Sequence, residues 1–366
     1  MKRYAMWMLL MAVIFSLLAC SGDDNNTPTE PGKVGWAIGY REDNTAAILH
    51  TENGGLIWEE QGDPSLWKGM TGNDISAVDE WTAWAAVGSD ETGAILHTAD
   101  GGVNWELQRL PDGVIDVMKG IKGLSRQIAW AVTLTGIVMQ TLDGGETWTV
   151  IPHEGITIKQ VNRIDAKGED IWIADHGSGE KGMIHSPDFG QTWYRETLNN
   201  PDPFETGFGP MGVSIVDSQV AWAQTRPDAN IFRTLDGGNN WQLDAPDISG
   251  PGDLDDICAP DTDTVWAVQN HGGANGGSII RVQLVDGKVI SDIMRPKNYS
   301  AYEYEGVTCF DENTAWVVGI QLVRAFPDLP AGVILHTTDG GKNWTSQPMW
   351  VSDVGLWKVS FVGAHR

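Results

Sequence analysis

The sequence predicts an all-β protein, a seven-bladed β-propeller built from four-stranded antiparallel blades. Two observations predict it: a short turn phrase that occurs six times along the chain, and a tryptophan with apolar neighbours that occurs seven times. In a repeat of this kind each unit buries its apolar face only against the next unit. The repeat therefore determines the fold class before any single residue is given a role.

The turn phrase reads Ser or Thr, any residue, Asp, any residue, Gly, two further residues and Trp, with Asn53 replacing Asp in the first copy. Asp and Gly suit the positive φ angles of a tight turn, and the hydroxyl and the carboxylate can accept turn N–H bonds. Each phrase is expected to join two strands of one blade, with its Trp opening the second strand. The Asp and Trp residues predicted to be structural are Asp100, Asp143, Asp188, Asp236, Asp339, Trp58, Trp105, Trp148, Trp193, Trp241 and Trp344.

The second tryptophan series marks another strand of each blade. Its members lie 42 to 50 residues apart, close to the period of a four-stranded propeller blade. They are Trp36, Trp84, Trp130, Trp172, Trp222, Trp266 and Trp316. The unit after Trp266 has no turn phrase and is counted as a blade with a degenerate turn, with Val285-Asp286-Gly287-Lys288 in its place.

Four histidines stand directly before a turn phrase, and Gln140 and Arg233 take the same place in other units. Recurrence at equivalent strand positions indicates a structural role for these histidines. They are His50, His97, His185 and His336.

The two ends of the chain predict a closed ring. An apolar segment precedes every internal Trp of the second series and is interpreted as an inner strand. These segments are 66–70, 115–121, 158–164, 211–216, 254–258 and 306–310. Trp36 has none before it, whereas Leu356 to Val362 ends the chain without a following Trp. We expect this C-terminal strand to pair with the N-terminal strands, which closes a ring of seven blades.

The turn phrase resembles the Asp-box, or bacterial neuraminidase, repeat. Together with the W-A-V-G type of strand, it resembles the photosystem II stability/assembly-factor-like family of seven-bladed propellers, over roughly residues 33 to 366. The resemblance implies the fold. It leaves the function open, because Asp-box propellers include sialidases, xyloglucan hydrolases, sorting receptors and assembly factors.

The N-terminus has the layout of a lipoprotein signal. Lys2 and Arg3 precede an apolar run from Tyr4 to Ala19, and Leu17-Leu18-Ala19-Cys20 resembles a bacterial lipobox, which implies lipidation of Cys20. A plain secretory signal is the alternative. The predicted organisation is a signal peptide over 1–19, a flexible tether over 20–32 and the propeller over 33–366. Two acids after Cys20 resemble a Bacteroidetes surface-export signal, so we expect a lipid-anchored envelope protein, on the outer membrane and exposed at the surface.

The formal net charge of −25 excludes nucleic acid as a partner and limits membrane contact to the lipid anchor. An envelope protein or a glycan is expected as the partner, and a monomer as the oligomeric state. The sequence contains no C-x-x-C, zinc-type Cys/His spacing, P-loop or G-x-S-x-G motif, so no metal or cofactor is predicted. Cys258 and Cys309 lie on consecutive inner strands. A disulfide between them is the alternative in an oxidising envelope, but two buried thiols are expected, because inner strands diverge.

Candidate binding residues lie on the loops around one mouth of the channel. Loops that link blades, and those between second and third strands, emerge on the same face of a propeller. Non-repeating aromatics, acids and arginines on that face can stack a sugar ring or grip a peptide. They are Arg41, Asp175, His176, Phe204, Glu205, Arg226, His271, Tyr299, Tyr302, Tyr304, Arg324 and Trp350.

Three functions compete at this point. The first is a non-enzymatic envelope lipoprotein that presents its loop face for protein or glycan binding, or for assembly. The alternative is a sialidase-like or xyloglucanase-like glycoside hydrolase, which needs two carboxyl groups about 5 to 9.5 Å apart. Its candidate acids are Glu42, Asp175, Glu205 and Asp353, and no spacing singles out a pair. A metal or redox enzyme is supported only by scattered His and Asp.

Overall fold

The computed structural model describes residues 34–177, 182–196, 198, 209–226, 229–245, 253–271, 276–322 and 331–365. The predicted signal peptide, Cys20, the tether and the candidates Phe204, Glu205 and Arg324 lie outside these ranges. Within the ranges, no helix has the length and apolar character needed to cross a membrane.

In the described residues, 28 strands form seven four-stranded antiparallel sheets. The first blade contains β1 (Gly35–Tyr40), β2 (Ala46–Thr51) and β3 (Glu59–Gln61), and the second contains β4 (Thr71–Ala77), β5 (Ala83–Gly88), β6 (Gly93–Thr98) and β7 (Glu106–Leu107). The third contains β8 (Met118–Gly123), β9 (Ala129–Thr133), β10 (Val138–Thr141) and β11 (Thr149–Ile151), and the fourth β12 (Val161–Lys167), β13 (Asp170–Asp175), β14 (Gly182–Ser186) and β15 (Tyr194–Glu196). The fifth contains β16 (Pro210–Ile215), β17 (Ala221–Thr225), β18 (Ile231–Thr234) and β19 (Trp241–Ala245). The sixth contains β20 (Asp253–Cys258), β21 (Thr264–Asn270), β22 (Ser278–Val285) and β23 (Lys288–Met294). The seventh contains β24 (Tyr302–Cys309), β25 (Ala315–Gln321), β26 (Gly332–Thr337) and β27 (Thr345–Ser346), and β28 (Gly355–Phe361) returns to the first blade.

The predicted fold and its closure are confirmed. β28 pairs antiparallel with β1, with Phe361 opposite Gly35 and Ser360 opposite Trp36, so the last strand of the chain is the inner strand of the first blade. All seven blades therefore lie within residues 34–365, and residues 31–366 form one compact unit.

The prediction of an inner strand over 66–70 is wrong. Pro64–Trp67 forms a 3₁₀ turn, capped by Asp63, whose Oδ1 accepts the N–H of Ser65 at 3.0 Å. The inner strand is β4, whose polar residues give no apolar signal in the sequence. Trp67 is buried instead, and its indole N–H donates to the carbonyl of Ala46 at 2.9 Å.

The turn phrases share one hydrogen-bond pattern. In the third copy the Thr141 hydroxyl donates to Asp143 Oδ1 at 2.8 Å and accepts the N–H of Gly145 at 2.9 Å, while Asp143 Oδ1 also accepts the N–H of Thr147 at 2.9 Å. The positive φ angles lie after the Asp, 76° at Gly144 and 90° at Gly145. The expectation of a positive φ at Asp itself is wrong, because the carboxylate is used to accept bonds across the turn. The glycines take the left-handed conformation.

The repeated histidines stack on the tryptophans of the second series. The ring centroids are 3.7 Å apart for Trp84 and His97, and 3.8 Å apart for Trp172 and His185. Arg233 stands at the same strand position in the fifth blade, and its guanidinium lies 5.1 Å from the Trp222 ring. These contacts agree with the structural role predicted from recurrence, because each group covers one face of a buried indole.

The phrase tryptophans join neighbouring blades. Trp148 of the third blade meets Trp84 of the second edge-to-face at 5.7 Å, and Trp241 of the fifth meets Trp172 of the fourth at 5.4 Å. Such a pair adds about 0.5 to 1.5 kcal/mol to the free energy of unfolding beyond the buried area.

The prediction of two separate thiols is wrong, since Cys258 and Cys309 form a disulfide with a Cα–Cα distance of 6.0 Å. At the C-terminal ends of neighbouring inner strands, where both cysteines lie, side chains can still reach each other. At equivalent positions in another pair of blades, the Ser214 hydroxyl accepts the N–H of Ala259 at 3.0 Å. The disulfide takes the place of such a link between the sixth and seventh blades.

The histidine stacks predict a pH dependence of stability. Burial lowers the pKa of His97 from 6.5 to about 4. Between these values the unfolded chain takes up a proton that the folded imidazole does not, so the free energy of unfolding should fall as the pH drops from about 6.5 to about 4. The change His97→Gln should flatten this dependence, because Gln140 shows that the position accommodates glutamine.

Urea denaturation at several pH values between 4 and 7 measures the effect. The reverse change, Gln140→His, adds an imidazole beside Trp130 and should steepen the dependence. An His97→Gln protein with an unchanged slope would contradict this assignment.

Candidate functional site

Every inner strand of the ring contains a β-bulge near its N-terminal end, seen as a shift in register against the second strand. A bulge inserts one unpaired residue and redirects its side chain. The inserted residues are Asn73, Lys119, Asn162, Met211, Asp255, Glu305 and Trp357. All seven line one cavity of about 180 Å³, which therefore lies on the ring axis. We call it the mouth cavity, because the loops that link the blades lead into this end of the inner strands.

The floor of the mouth cavity is a buried ion network. Arg163 lies between two carboxylates, with Nη1 3.5 Å from Asp74 Oδ1 and Nη2 2.8 Å from Asp256 Oδ1. Lys358 Nζ lies 3.2 Å from Asp256 Oδ2. Asp74 also accepts the N–H of Ile121, on the next inner strand, at 2.9 Å. The network thus links inner strands of different blades around the axis. Removing one partner would leave a buried charge uncompensated, which would destabilise the fold.

One side of the mouth cavity is acidic. Arg226 forms an ion pair with Asp255 and donates from Nε to the carbonyl of Leu254 at 3.2 Å. Burial raises the pKa of Asp255 well above its usual value, and the nearby Glu305 carboxylate adds to the rise. Burial likewise raises the pKa of Glu305. The Oδ2 atom of Asp255 is buried and accepts no hydrogen bond from the residues that the structure describes.

The other side of the mouth cavity carries an amine. Burial, together with the charge of Arg163, lowers the pKa of Lys119. Within the described ranges Lys119 has neither an ion-pair nor a hydrogen-bond partner for its amine, although the side chain lines the cavity. Burial also lowers the pKa of Lys358 to about 8. A ligand in the cavity therefore meets a lysine amine that has no partner in the described protein.

The remaining walls are fixed by contacts within the ring. Asn73 Nδ2 donates to the carbonyl of Met118 at 2.8 Å, and Asn162 Nδ2 donates to the carbonyl of Met211 at 2.7 Å. The Trp357 indole packs against Tyr40 with ring centroids 4.9 Å apart. Because these side chains already have partners, the cavity keeps its shape without a ligand.

Sequence reasoning found one residue of this cavity, Arg226, among the predicted binding residues that are described. Arg41 lies elsewhere, with Nη2 2.5 Å from Glu60 and Nε 3.3 Å from Asp353. Asp175 links the end of β13 to the segment before β12, because its Oδ1 accepts the N–H of Gln160 at 3.1 Å.

Several other candidates lie outside the mouth cavity. Oδ2 of Asp175 accepts from Arg195 at 3.0 Å. His176 is buried, and its backbone N–H donates to the carbonyl of Gln160 at 3.0 Å. His271 Nε2 lies 2.7 Å from the Ser278 hydroxyl. These contacts hold loops and strand ends together and are not aimed into the cavity.

The prediction that Tyr302 and Tyr304 are exposed binding aromatics is wrong. Both are buried in the core between the sixth and seventh blades. β24 begins at Tyr302, so positions interpreted as loop belong to a long inner strand. Tyr299 is half-buried, and its hydroxyl accepts the N–H of Ser346 at 3.2 Å. The Trp350 side chain is exposed, and its backbone N–H donates to the carbonyl of Trp58 at 3.3 Å, away from the cavity lining.

Known proteins resemble this chain in sequence and in fold. The family described as Photosynthesis system II assembly factor YCF48 matches residues 114–272. The Photosystem II assembly lipoprotein Ycf48 of Synechococcus sp. (strain CC9902) is 26% identical over 255 residues, which are 58% of this chain and 70% of that protein. The resemblance to assembly-factor propellers predicted from the turn phrases is confirmed.

Two solved structures match this chain over most of its length. The structure of YCF48 bound to D1 peptide is 17% identical, with a TM-score of 0.56, over 79% of this chain and 90% of that one. An ancestral GH74 enzyme is 12% identical, with a TM-score of 0.49, over 88% of this chain and 56% of that one. At 17% identity, the likeness to the YCF48 structure shows the fold alone.

Proposed function

We propose that this chain is a non-enzymatic binding propeller that holds an extended segment of another protein at its mouth cavity. The observation that carries the proposal is the Lys119 side chain, which lines the cavity and whose amine has no hydrogen-bond or ion-pair partner among the described residues. A polypeptide offers a carbonyl acceptor at every residue and can accept a hydrogen bond from this amine. The similar structure of YCF48 with a D1 peptide supports a protein partner over a glycan.

The size of the cavity limits what enters it. Sites for drug-sized ligands measure about 300 to 1,000 Å³, whereas the mouth cavity measures about 180 Å³. It admits one side chain or one chain end, and the rest of the segment lies on the loops around the mouth. The net charge of −25 favours neutral or basic segments.

Replacing the lysine tests the site. The change Lys119→Met removes the amine and keeps most of the length of the side chain, so affinity for a bound peptide should fall about tenfold or more, since a hydrogen bond to a charged group contributes about 1.5 to 3 kcal/mol. An array of peptides from envelope proteins identifies the ligand, and fluorescence anisotropy gives its Kd.

The matched control is Lys342→Met, which removes an exposed lysine from the sixth turn phrase, at the opposite end of the blades. Equal loss in both variants, or no loss in either, would contradict a peptide site at the mouth cavity. An array without any bound peptide would contradict the protein partner itself.

We further propose that a lipid on Cys20 holds the propeller at the bacterial envelope, with residues 21–32 as the tether. The lipobox-like end of the signal supports this, and the similar Synechococcus protein is named a lipoprotein. The change Cys20→Ser should abolish incorporation of labelled palmitate and release the chain from sedimented membranes. Cys258→Ser with Cys309→Ser is the control, because it removes the other two cysteines and leaves the anchor. A Cys20→Ser protein that remains labelled would contradict the anchor.

A glycoside hydrolase is the second candidate, and one observation favours it. Asp255 and Glu305 are two neighbouring carboxyl groups in a cavity, with raised pKa values of the kind that general acids have. The acids considered from sequence favour it less, because Asp175 links the end of β13 to the segment before β12 and Asp353 pairs with Arg41 on the surface. The test is an assay of sugar release from xyloglucan and sialylated glycans. Activity in the wild-type protein that is lost in Glu305→Gln would favour the hydrolase over the binding propeller.

A further inference from the structure

The sixth blade ends in an outer strand unlike those of the other blades. The sheet order β20-β21-β22-β23 places β23 at a free edge. β23 has seven residues, whereas the outer strands of the other six described sheets have two to five. This is the blade that lacks the turn phrase, so the missing phrase and the long edge occur together.

The hairpin of this blade explains the length of the edge. Asp286 and Gly287 have φ angles of 54° and 71°, as in a type I′ turn, and β22 pairs with β23 without a register shift from Val285–Lys288 to Ile279–Met294. The turn phrases of the other blades use eight residues to change direction, whereas this turn uses two. The ladder therefore continues to the end of the hairpin.

The free edge carries unpaired backbone groups. In a two-residue hairpin the closing pair is hydrogen-bonded, so the N–H and C=O groups of Val289, Ser291 and Ile293 point away from β22. Among the described residues, these three make no backbone hydrogen bond outside their own sheet, which ends at β23. An edge of this length can accept another strand.

Apolar side chains surround the same edge. Val285 is 46% exposed, Val289 42%, Ile290 46% and Ile293 44%. Soluble proteins usually protect such an edge by shortening it, twisting it or placing charges along it. The other blades have short outer strands, whereas the only charged residues of the long strand β23 are Lys288 and Asp292.

We propose that two copies of this chain pair antiparallel through β23, with Ile290 of each copy opposite Ile290 of the other at a two-fold axis. In this register the outward-pointing backbone groups of Val289 in one copy face those of Ser291 in the other. Lys288 of each copy lies opposite Asp292 of the other copy, which gives two charge pairs. Asp292 Oδ2 contacts Arg281 at 2.7 Å, but the side chain is 47% exposed and has a second oxygen. This self-complementary charge pattern favours a second copy over an unrelated segment.

The dimer is expected to be weak, in contrast to the monomer predicted from the sequence. One pair of seven-residue strands buries less than the roughly 1,200 to 2,000 Å² of stable interfaces. Two chains anchored on one membrane would be held at a high local concentration, which favours a weak contact.

The test is the mass of the compact unit, residues 31–366, by sedimentation equilibrium over a range of concentrations. The wild-type mass should rise reversibly towards twice the monomer value. Ser291→Pro removes an N–H that points to the free edge, and Ile290→Lys places two like charges at the axis, so both should remain monomeric. The control is Val103→Lys, because Val103 is a 76% exposed residue of the second turn phrase.

Cross-linking tests the register. In residues 31–366 the two cysteines are joined in a disulfide, so Ile290→Cys supplies the single free thiol. Mild oxidation should give a covalent dimer much faster than it does in Val103→Cys. A monomer at every concentration, a dimer that both disrupting changes leave intact, or equal cross-linking at the two positions would overturn the proposal.

Discussion

The contact between tryptophans of adjacent blades is the interaction on which the ring depends. A buried indole removes about 150 to 250 Å² from water, and edge-to-face packing fixes its orientation, so Trp148 against Trp84 joins two sheets that share no strand pairing. A closed ring requires an attachment at every interface between blades. At the last one, Trp58 of the first blade packs in one cluster with Trp316 of the seventh, and β28 adds covalent continuity between these two blades.

The joint between the fifth and sixth blades shows what the phrase tryptophan contributes, because the sixth blade has none. There the indole N–H of Trp222 donates to the carbonyl of Asp261 at 3.3 Å, and Arg233 covers one ring face. The interface between the sixth and seventh blades keeps the usual pair, with Trp266 and Trp344 edge-to-face at 6.0 Å, and adds the disulfide, which spans 51 residues. In the chain-entropy account, a loop of this length stabilises the fold by about 4 kcal/mol. The sixth blade thus lacks the tryptophan pair towards the fifth blade and has an additional covalent link to the seventh.

The blade count and the ring closure could be predicted from the sequence because their signals are local and repeat at a fixed period. The mouth cavity could not. Its residues are defined by bulges, which depend on the register between two strands, and they share no residue type, as Lys119, Met211 and Trp357 show. Tyr302 was predicted as a loop residue because the repeat predicts an inner strand over 306–310, whereas β24 already begins at Tyr302. The disulfide was missed because the spacing of neighbouring inner strands is a property of the closed ring.

The departures from seven-fold repetition are concentrated in the sixth blade. It supplies Asp255 to the mouth cavity and Asp256 to the ion network beneath it, and its inner strand carries Cys258. Its outer strand is the long free edge. Identical repeats bury and shield themselves in the same way, so chemistry that distinguishes one side of a ring from another must come from repeats that differ. In this protein the same blade therefore shapes both the axial cavity and the outer surface at which a second chain can pair.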